Sequence, residues 1–327
     1  MEPLQQLEGF TMRSPTEGDA EDVAALVIAY DVEAFGSADY SVEDLRDEWR
    51  QPGFVLGTDA VVVATHAGQI VGYAAAQDHG QHVQLVGDGY VRPDHCGRGI
   101  GTILARWSEG RARELVGLAP PAMQVTLDQG TAGNDAAAAS LFAREGYTRV
   151  RAFWDMATRM DEPPPAPTWP EGIVVRPFVP GEDEYAAYTT NGEAFQDHWG
   201  YVAIPFEEWR ASRLDYEGFD PSLVFLARDG DEVAGAIRCR TRGEGASEKG
   251  WIDNLSVRRP WRGRGLGTAL LLHAFAAFYR RGTRSVGLGV DAESLTGATR
   301  IYERVGMHVE RHFDVYRKTL RTGNEPA

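Results

Sequence analysis

The sequence predicts an α/β protein with mixed sheets, laid out twice along one chain. Three observations carry this. Strand-like and helix-like runs follow the same order in each half, and three short segments recur in that order. FTMRSPTEGDA matches IVVRPFVPGED, with Arg13 and Arg176 in corresponding places. VRPDHCGRGIGT matches VRRPWRGRGLGT, and SLFAREGY matches RIYERVGM. Between the halves lies DEPPPAPTWP, where proline is too dense for a helix or a central strand and favours an extended spacer. The expected division is residues 1–160, a linker at 161–170, and residues 171–327.

Each element has a local reason. Each copy opens on a short strand, a polar turn and a helix. AVVVATHAGQIVGYAAAQ and LVFLARDGDEVAGAIRCR each hold two β-type runs around a turn, at Ala67-Gly68 and Asp229-Gly230, which signals a hairpin. TRGEGASEKG, polar and glycine-rich, is a second hairpin loop. A strand ending at Val91 or Val257 then meets a glycine-rich turn and a long helix. Leu270, Leu271, Ala274, Phe275 and Phe278 share one face of the second of these helices. A strand, a helix and a last strand close each copy.

The chain has 327 residues, 43% of them apolar, enough for a core in each half. A net charge of −15 argues against general nucleic-acid binding. No run of about eighteen apolar residues occurs, so a membrane span is not expected. The N-terminus does not read as a secretory signal. Cys96 and Cys239 match no metal spacing and imply no disulfide framework, so a cytoplasmic setting without a metal is expected. Cys96 reads as a small buried thiol.

The turn Arg262-Gly263-Arg264-Gly265-Leu266-Gly267-Thr268 lies between strand and helix. Glycines let a ligand approach the backbone, and the helix start offers unpaired N–H groups. Such a turn cradles a diphosphate, with Arg262 and Arg264 adding charge-assisted contacts. The Gly-Lys-Ser/Thr of a P-loop is missing, and the spacing G-x-G-x-G differs from the dinucleotide fingerprint.

Arg262-x-x-Gly265-x-Gly267 resembles the acyl-CoA signature of the GCN5-related N-acetyltransferase (GNAT) family. Leu255-Ser256-Val257 upstream and Ile301-Tyr302-x-x-x-Gly306-Met307 downstream resemble that family too, as do the two openings, and the whole is similar to its two-domain members. The resemblance implies two tandem acyl-CoA N-acyltransferase domains and acetyl-CoA as co-substrate. It implies cofactor contacts from Leu255, Ser256, Val257, Arg262, Gly263, Arg264, Gly265, Leu266, Gly267, Thr268 and Ser294, the last where the family often has asparagine. A splayed strand would admit the cofactor, and the amide near Leu255 would meet the thioester carbonyl. The resemblance makes Tyr302 the acid for the departing thiolate and Asp253 the base, or the group that orders a deprotonating water. A core tyrosine and a solvated strand aspartate are the alternatives. Asp291 would touch the substrate or cap the next helix.

In the first copy Gly87, Cys96 and Phe142 replace Asp253, Arg262 and Tyr302, so that copy is expected to be non-catalytic. The segment from Glu193 to Trp209 falls where the family covers its acceptor. Its aromatic and acidic residues would suit a cationic amine, although Phe195, Trp199, Phe206 and Trp209 read first as core and His198 as structural. The expected function is acetyl transfer to a primary amine of a small molecule by direct attack, in a monomer or homodimer. An acyl-CoA-binding regulatory pseudoenzyme and a general nucleotide binder are the competing readings.

Overall fold

The computed structural model describes residues 7–78, 81–196, 198–216, 218–242, 248–293 and 298–325. The chain forms two compact units, Met1–Ala152 together with His312–Ala327, and Phe153–Arg311.

Unit 1 begins with β1 (Phe10–Arg13), α1 (Ala20–Phe35), α2 (Val42–Trp49) and the single turn α3 (Leu56–Asp59). The hairpin β2 (Ala60–Thr65) and β3 (Ile70–Asp78) follows, then β4 (Gln84–Val91), α4 (Ile100–Leu115), β5 (Val125–Ala132) and α5 (Ala136–Arg144). Arg13 donates to both carboxylate oxygens of Asp19, at 2.8 and 2.6 Å. That bond fixes the turn into α1 and holds the Asp19 carboxyl well below its ordinary range. One face of the sheet packs under α1 and α2 through Leu26, Leu45, Val62 and Tyr73. The other packs under α4 through Val63, Val71, Ile100 and Leu104.

The strand β6 (Thr148–Arg159) carries the chain into unit 2. There follow β7 (Ile173–Pro177), α6 (Glu184–Phe195), α7 (Phe206–Arg213), the hairpin β8 (Val224–Asp229) and β9 (Glu232–Arg242), and β10 (Lys249–Val257). Then come α8 (Leu266–Arg281), β11 (Ser285–Asp291), α9 (Ala298–Arg304) and β12 (His308–Arg321). Arg176 bonds Asp183 as Arg13 bonds Asp19, which explains the recurrence of that arginine. Phe275 and Phe278 of α8 lie in the larger core; the smaller, beneath α6 and α7, includes Phe178, Trp209 and Leu226. Gly250 is required here, because a Cβ would stand 2.8 Å from the Phe278 ring. Residues 243–247, inside the expected second hairpin loop, lie outside the described residues.

The sheet of unit 1 runs β1-β2-β3-β4-β5-β12, and that of unit 2 runs β7-β8-β9-β10-β11-β6. Only β4–β5 and β10–β11 are parallel among these neighbours. Each last place is taken by a strand from the far end of the chain's order. Phe153 to Arg159 pair with β11, and Phe313 to Arg321 pair with β5. The proline-rich segment 161–170 is accordingly a connection within unit 2, with Trp169 laid against His273. The division expected at that segment differs from these units in the placement of residues 153–160 and 312–327. Register decides it: hydrogen bonding to β11 and β5 outweighs the break in composition.

Candidate active site

The centre of unit 2 is set by a fault in β10. Its ladder with β9 is regular from Lys249↔Arg242 to Ile252↔Cys239, then shifts so that Asn254 faces Arg238. Asp253 is the extra residue of this bulge, re-aimed out of the regular alternation. On the other side, pairing with β11 ends at Ile252↔Leu288, while β11 continues along β6 to Asp291↔Phe153. Beyond Ile252 the two parallel strands therefore part. A cavity of about 560 Å³ occupies the gap, lined by Asp253, Asn254, Leu255 and Val257 on one side and by Gly289 to Asp291 on the other.

The floor of the cavity is the glycine-rich turn. Gly263 and Gly265 have φ of +74° and +86°, where a side chain would be strained, and the space a Cβ would take is open at both. Gly265 caps α8 without a side-chain bond, so the first amides of the helix have no partner within it. Gly263, Gly265, Leu266, Gly267 and Thr268 all line the cavity. These features fit a diphosphate.

Arg262 lines the cavity too, but its Nε donates to the Val257 carbonyl at 3.0 Å and Nη2 to the Ala194 carbonyl at 2.9 Å. Those bonds clamp the end of α6 to the turn. Arg258 reinforces the clamp, its Nε bonding Glu193 at 2.6 Å. Arg264 is exposed and stands outside the cavity wall. The side chain of Ser256 is buried and donates to Asn254 Oδ1 at 2.6 Å, so only its backbone is available to a ligand. Ser294 lies outside the described residues.

Tyr302 projects from α9 into the cavity and packs on the main core. Burial pushes its hydroxyl up to about 12, so at neutral pH it keeps its proton. Asp253 is 11% exposed; Arg240 Nε stands 3.0 Å from Oδ1 and Arg238 Nη1 3.6 Å from Oδ2. Oδ2 is buried and accepts no hydrogen bond. The residue itself lines the cavity. A solvated strand aspartate is not what the structure contains. Asp291 accepts the amide of Glu293 at 2.9 Å, holding the turn after β11, and also lines the cavity.

The covering segment divides. Phe206 and Trp209 are core residues beside Tyr188. Phe195, His198 and Trp199 line the cavity instead, with the His198 ring tilted against Phe195 and Trp199 beside Phe153. Sequence reasoning missed Arg300 and Arg304, which bring positive charge to the cavity from α9. Their i, i+4 spacing around Tyr302 was the available signal. It missed Arg238 and Arg240 as well, because they act through a bulge that no local pattern announces.

Unit 1 has a smaller counterpart, about 380 Å³, lined by Gly97, Gly99, Gly101, Thr102, Cys96 and Phe142 among others. The glycine turn is preserved, with Gly97 and Gly99 at φ of +76° and +85°. The β3–β4 ladder runs from Gly72↔Val91 to Asp78↔Leu85 without a shift, so no bulge re-aims a residue at Gly87. Cys96 is exposed, contrary to the expectation of a buried thiol, at the mouth of a cavity it helps to line. Partial burial and then Asp135, Asp94 and Glu33 raise its thiol, which keeps it protonated.

Comparison with known proteins agrees with this geometry. Residues 184–307 match the model of the acetyltransferase (GNAT) family, and residues 57–149 match that of an acetyltransferase (GNAT) domain. The mycothiol acetyltransferase of Thermomonospora curvata is 32% identical over 251 residues, covering 76% of this chain and 79% of that one. That of Thermobispora bispora is 38% identical over 177 residues, which span 53% of this chain and only 59% of the relative. A crystal structure of a GCN5-related N-acetyltransferase from Sphaerobacter thermophilus is 41% identical, with 98% and 99% of the two chains covered and a TM-score of 0.85. A tandem GNAT protein from the clavulanic acid biosynthesis pathway shares the fold at 18% identity and a TM-score of 0.70. The chain belongs to the GNAT acetyltransferase family, with two such domains in tandem. No helix among the described residues is long and apolar enough to cross a membrane.

Proposed function

We propose that unit 2 transfers an acetyl group from acetyl-CoA to a primary amine of a small molecule, by direct attack and without a covalent enzyme intermediate. The observation that carries this reading is the convergence of three features on one cavity. The parted strands β10 and β11, the uncapped start of α8, and Tyr302 with Asp253 all face it. Acetyl-CoA, when bound, supplies the thioester-activated acetyl group.

The amides of Leu266, Gly267 and Thr268 hold the diphosphate. The amide near Leu255 donates to the acyl oxygen, where negative charge develops. The Asp253 carboxylate takes the proton that the amine sheds, directly or through a water. As the new C–N bond forms and the C–S bond breaks, Tyr302 gives its proton to sulfur. One proton leaves nitrogen and one arrives at sulfur, so the step is balanced. Unit 1 is a non-catalytic partner in this reading, since it has Gly87 and Phe142 in place of the base and the acid. Two thiols that form no bridge accord with a cytoplasmic setting.

The test is free-thiol release from acetyl-CoA across a panel of amines, with calorimetry of CoA binding. Tyr302→Phe is expected to lower kcat by about 10²–10⁴-fold while CoA affinity stays unchanged. Equal turnover by this variant would remove the assigned acid.

A further inference from the structure

Arginines crowd the carboxylate of Asp253. Arg238 and Arg240 of β9 both meet its carboxylate, at 3.6 and 3.0 Å. Arg238 Nη1 also donates to the carbonyl of Arg213 at 3.1 Å, which brings the end of α7 to the same place. The Arg213 side chain feels the charges of Arg238, Arg240 and Asp253, so three guanidiniums gather around a single carboxylate among the described residues. Asp215, the acid next along the chain, is drawn off by Arg210 at 3.3 Å. Arg240 Nε is buried and makes no hydrogen bond, although Asp253 Oδ1 stands 3.0 Å away: the angle is wrong. The Arg238 side chain is only 15% exposed.

Like charges crowded at partly desolvated positions are unfavourable unless a counter-charge joins them. The Arg213 guanidinium shows this strain. Partial burial and then Arg238 and Arg240 lower it from its ordinary value, although the residue keeps part of its surface in water. One carboxylate cannot satisfy three forks, and guanidiniums match carboxylate and phosphate oxygens in pairs.

We infer that Arg213, Arg238 and Arg240 form a recognition site for an anionic group on the acceptor, a carboxylate or a phosphate set a few bonds from the reacting amine. This rests on the acetyl-transfer reading and narrows its substrate class. It adds an anionic group to the cationic amine that the covering segment would suit. Asp253 joins the two functions, because its carboxylate lines the cavity and anchors two of the arginines.

The experiment uses matched acceptors that differ only in the anion. These are β-alanine against β-alaninamide, phosphoethanolamine against ethanolamine, and glucosamine 6-phosphate against glucosamine. Binding to the full chain in the presence of CoA is measured by calorimetry, and turnover by thiol release. The anionic member of at least one pair is expected to bind roughly tenfold or more tightly. Carboxylate-only or phosphate-only preference identifies the group. In Arg213→Gln and Arg240→Gln that ratio is expected to collapse towards one, and a ratio taken within one variant is insensitive to a loss of folded protein. No anionic preference in the wild type, or a preference that survives both substitutions, overturns the inference whatever turnover does. Anion-dependent binding with no thiol release from any acceptor would instead sink acetyl transfer and leave the arginine site standing.

Discussion

Arg317 grips both oxygens of Asp128, Nε and Nη2 each at 2.6 Å, across 189 positions of sequence. Asp128 is 4% exposed on β5, and Arg317 lies on β12, the strand that completes the sheet of unit 1. This bidentate pair locks the end of the chain into the unit with which the chain begins.

Arg317→Met is expected to destabilise unit 1 by about 3–5 kcal/mol, because it leaves a buried carboxylate without its counter-charge. Adding Asp128→Asn should recover part of the loss, since the uncompensated charge is then gone. Denaturant midpoints of the single and double variants measure this. A single variant as stable as the wild type would mean the pair contributes nothing.

Asp88→Asn should stabilise the protein in a pH-dependent way. Burial raises the Asp88 carboxyl from 3.8 to about 6. Below about pH 3 it is neutral, folded or unfolded, and costs nothing. From about pH 4 the unfolded chain ionises while the folded carboxyl keeps its proton, so stability falls by roughly 2 kcal/mol, after allowance for partial exposure, until the folded group ionises near 6, and it is level above that. The asparagine variant should therefore melt higher at pH 7.5 and equally at pH 3. An equal gain at both values would point to packing instead.

Gly265→Ala places a Cβ at φ of +86°, with open space around it. The cost is backbone strain of about 1–2 kcal/mol rather than a clash. CoA affinity is expected to fall at least tenfold as the amides of α8 lose their aim, which calorimetry reads directly. Gly99→Ala should lower stability similarly and leave thiol release unchanged.

Asp253→Asn removes the negative partner of Arg238 and Arg240. Stability should drop by roughly 3 kcal/mol, and kcat by about 10²-fold or more if Asp253 accepts the amine proton. Thermal melting separates the two effects. Full turnover at a lowered melting temperature would confine Asp253 to a structural role.

Much of the site was legible before any coordinates. The glycine turn, its place between strand and helix, and Tyr302 on the helix beyond are local features, and residues close in sequence fixed them. Arg262 was legible as a residue of the turn but not in its bonds, because the carbonyl of Ala194 arrives from a distant helix. The arginines around Asp253 were invisible for a related reason. A bulge changes which face a side chain occupies, and nothing in WIDNLSV marks where the extra residue falls.

The sequence alone determined the two copies, the order of their elements and the glycine turns, because periodicity and turn chemistry act over a few residues. The tertiary structure decided which strand completes each sheet. The closing strands of the two copies follow equivalent helices and carry similar patterns, so local preference cannot choose a partner between them. The choice lies in long-range register, as Phe153↔Asp291 and Phe313↔Ala132, and in side chains such as Arg317 that find their counter-charges only once the backbone is in place.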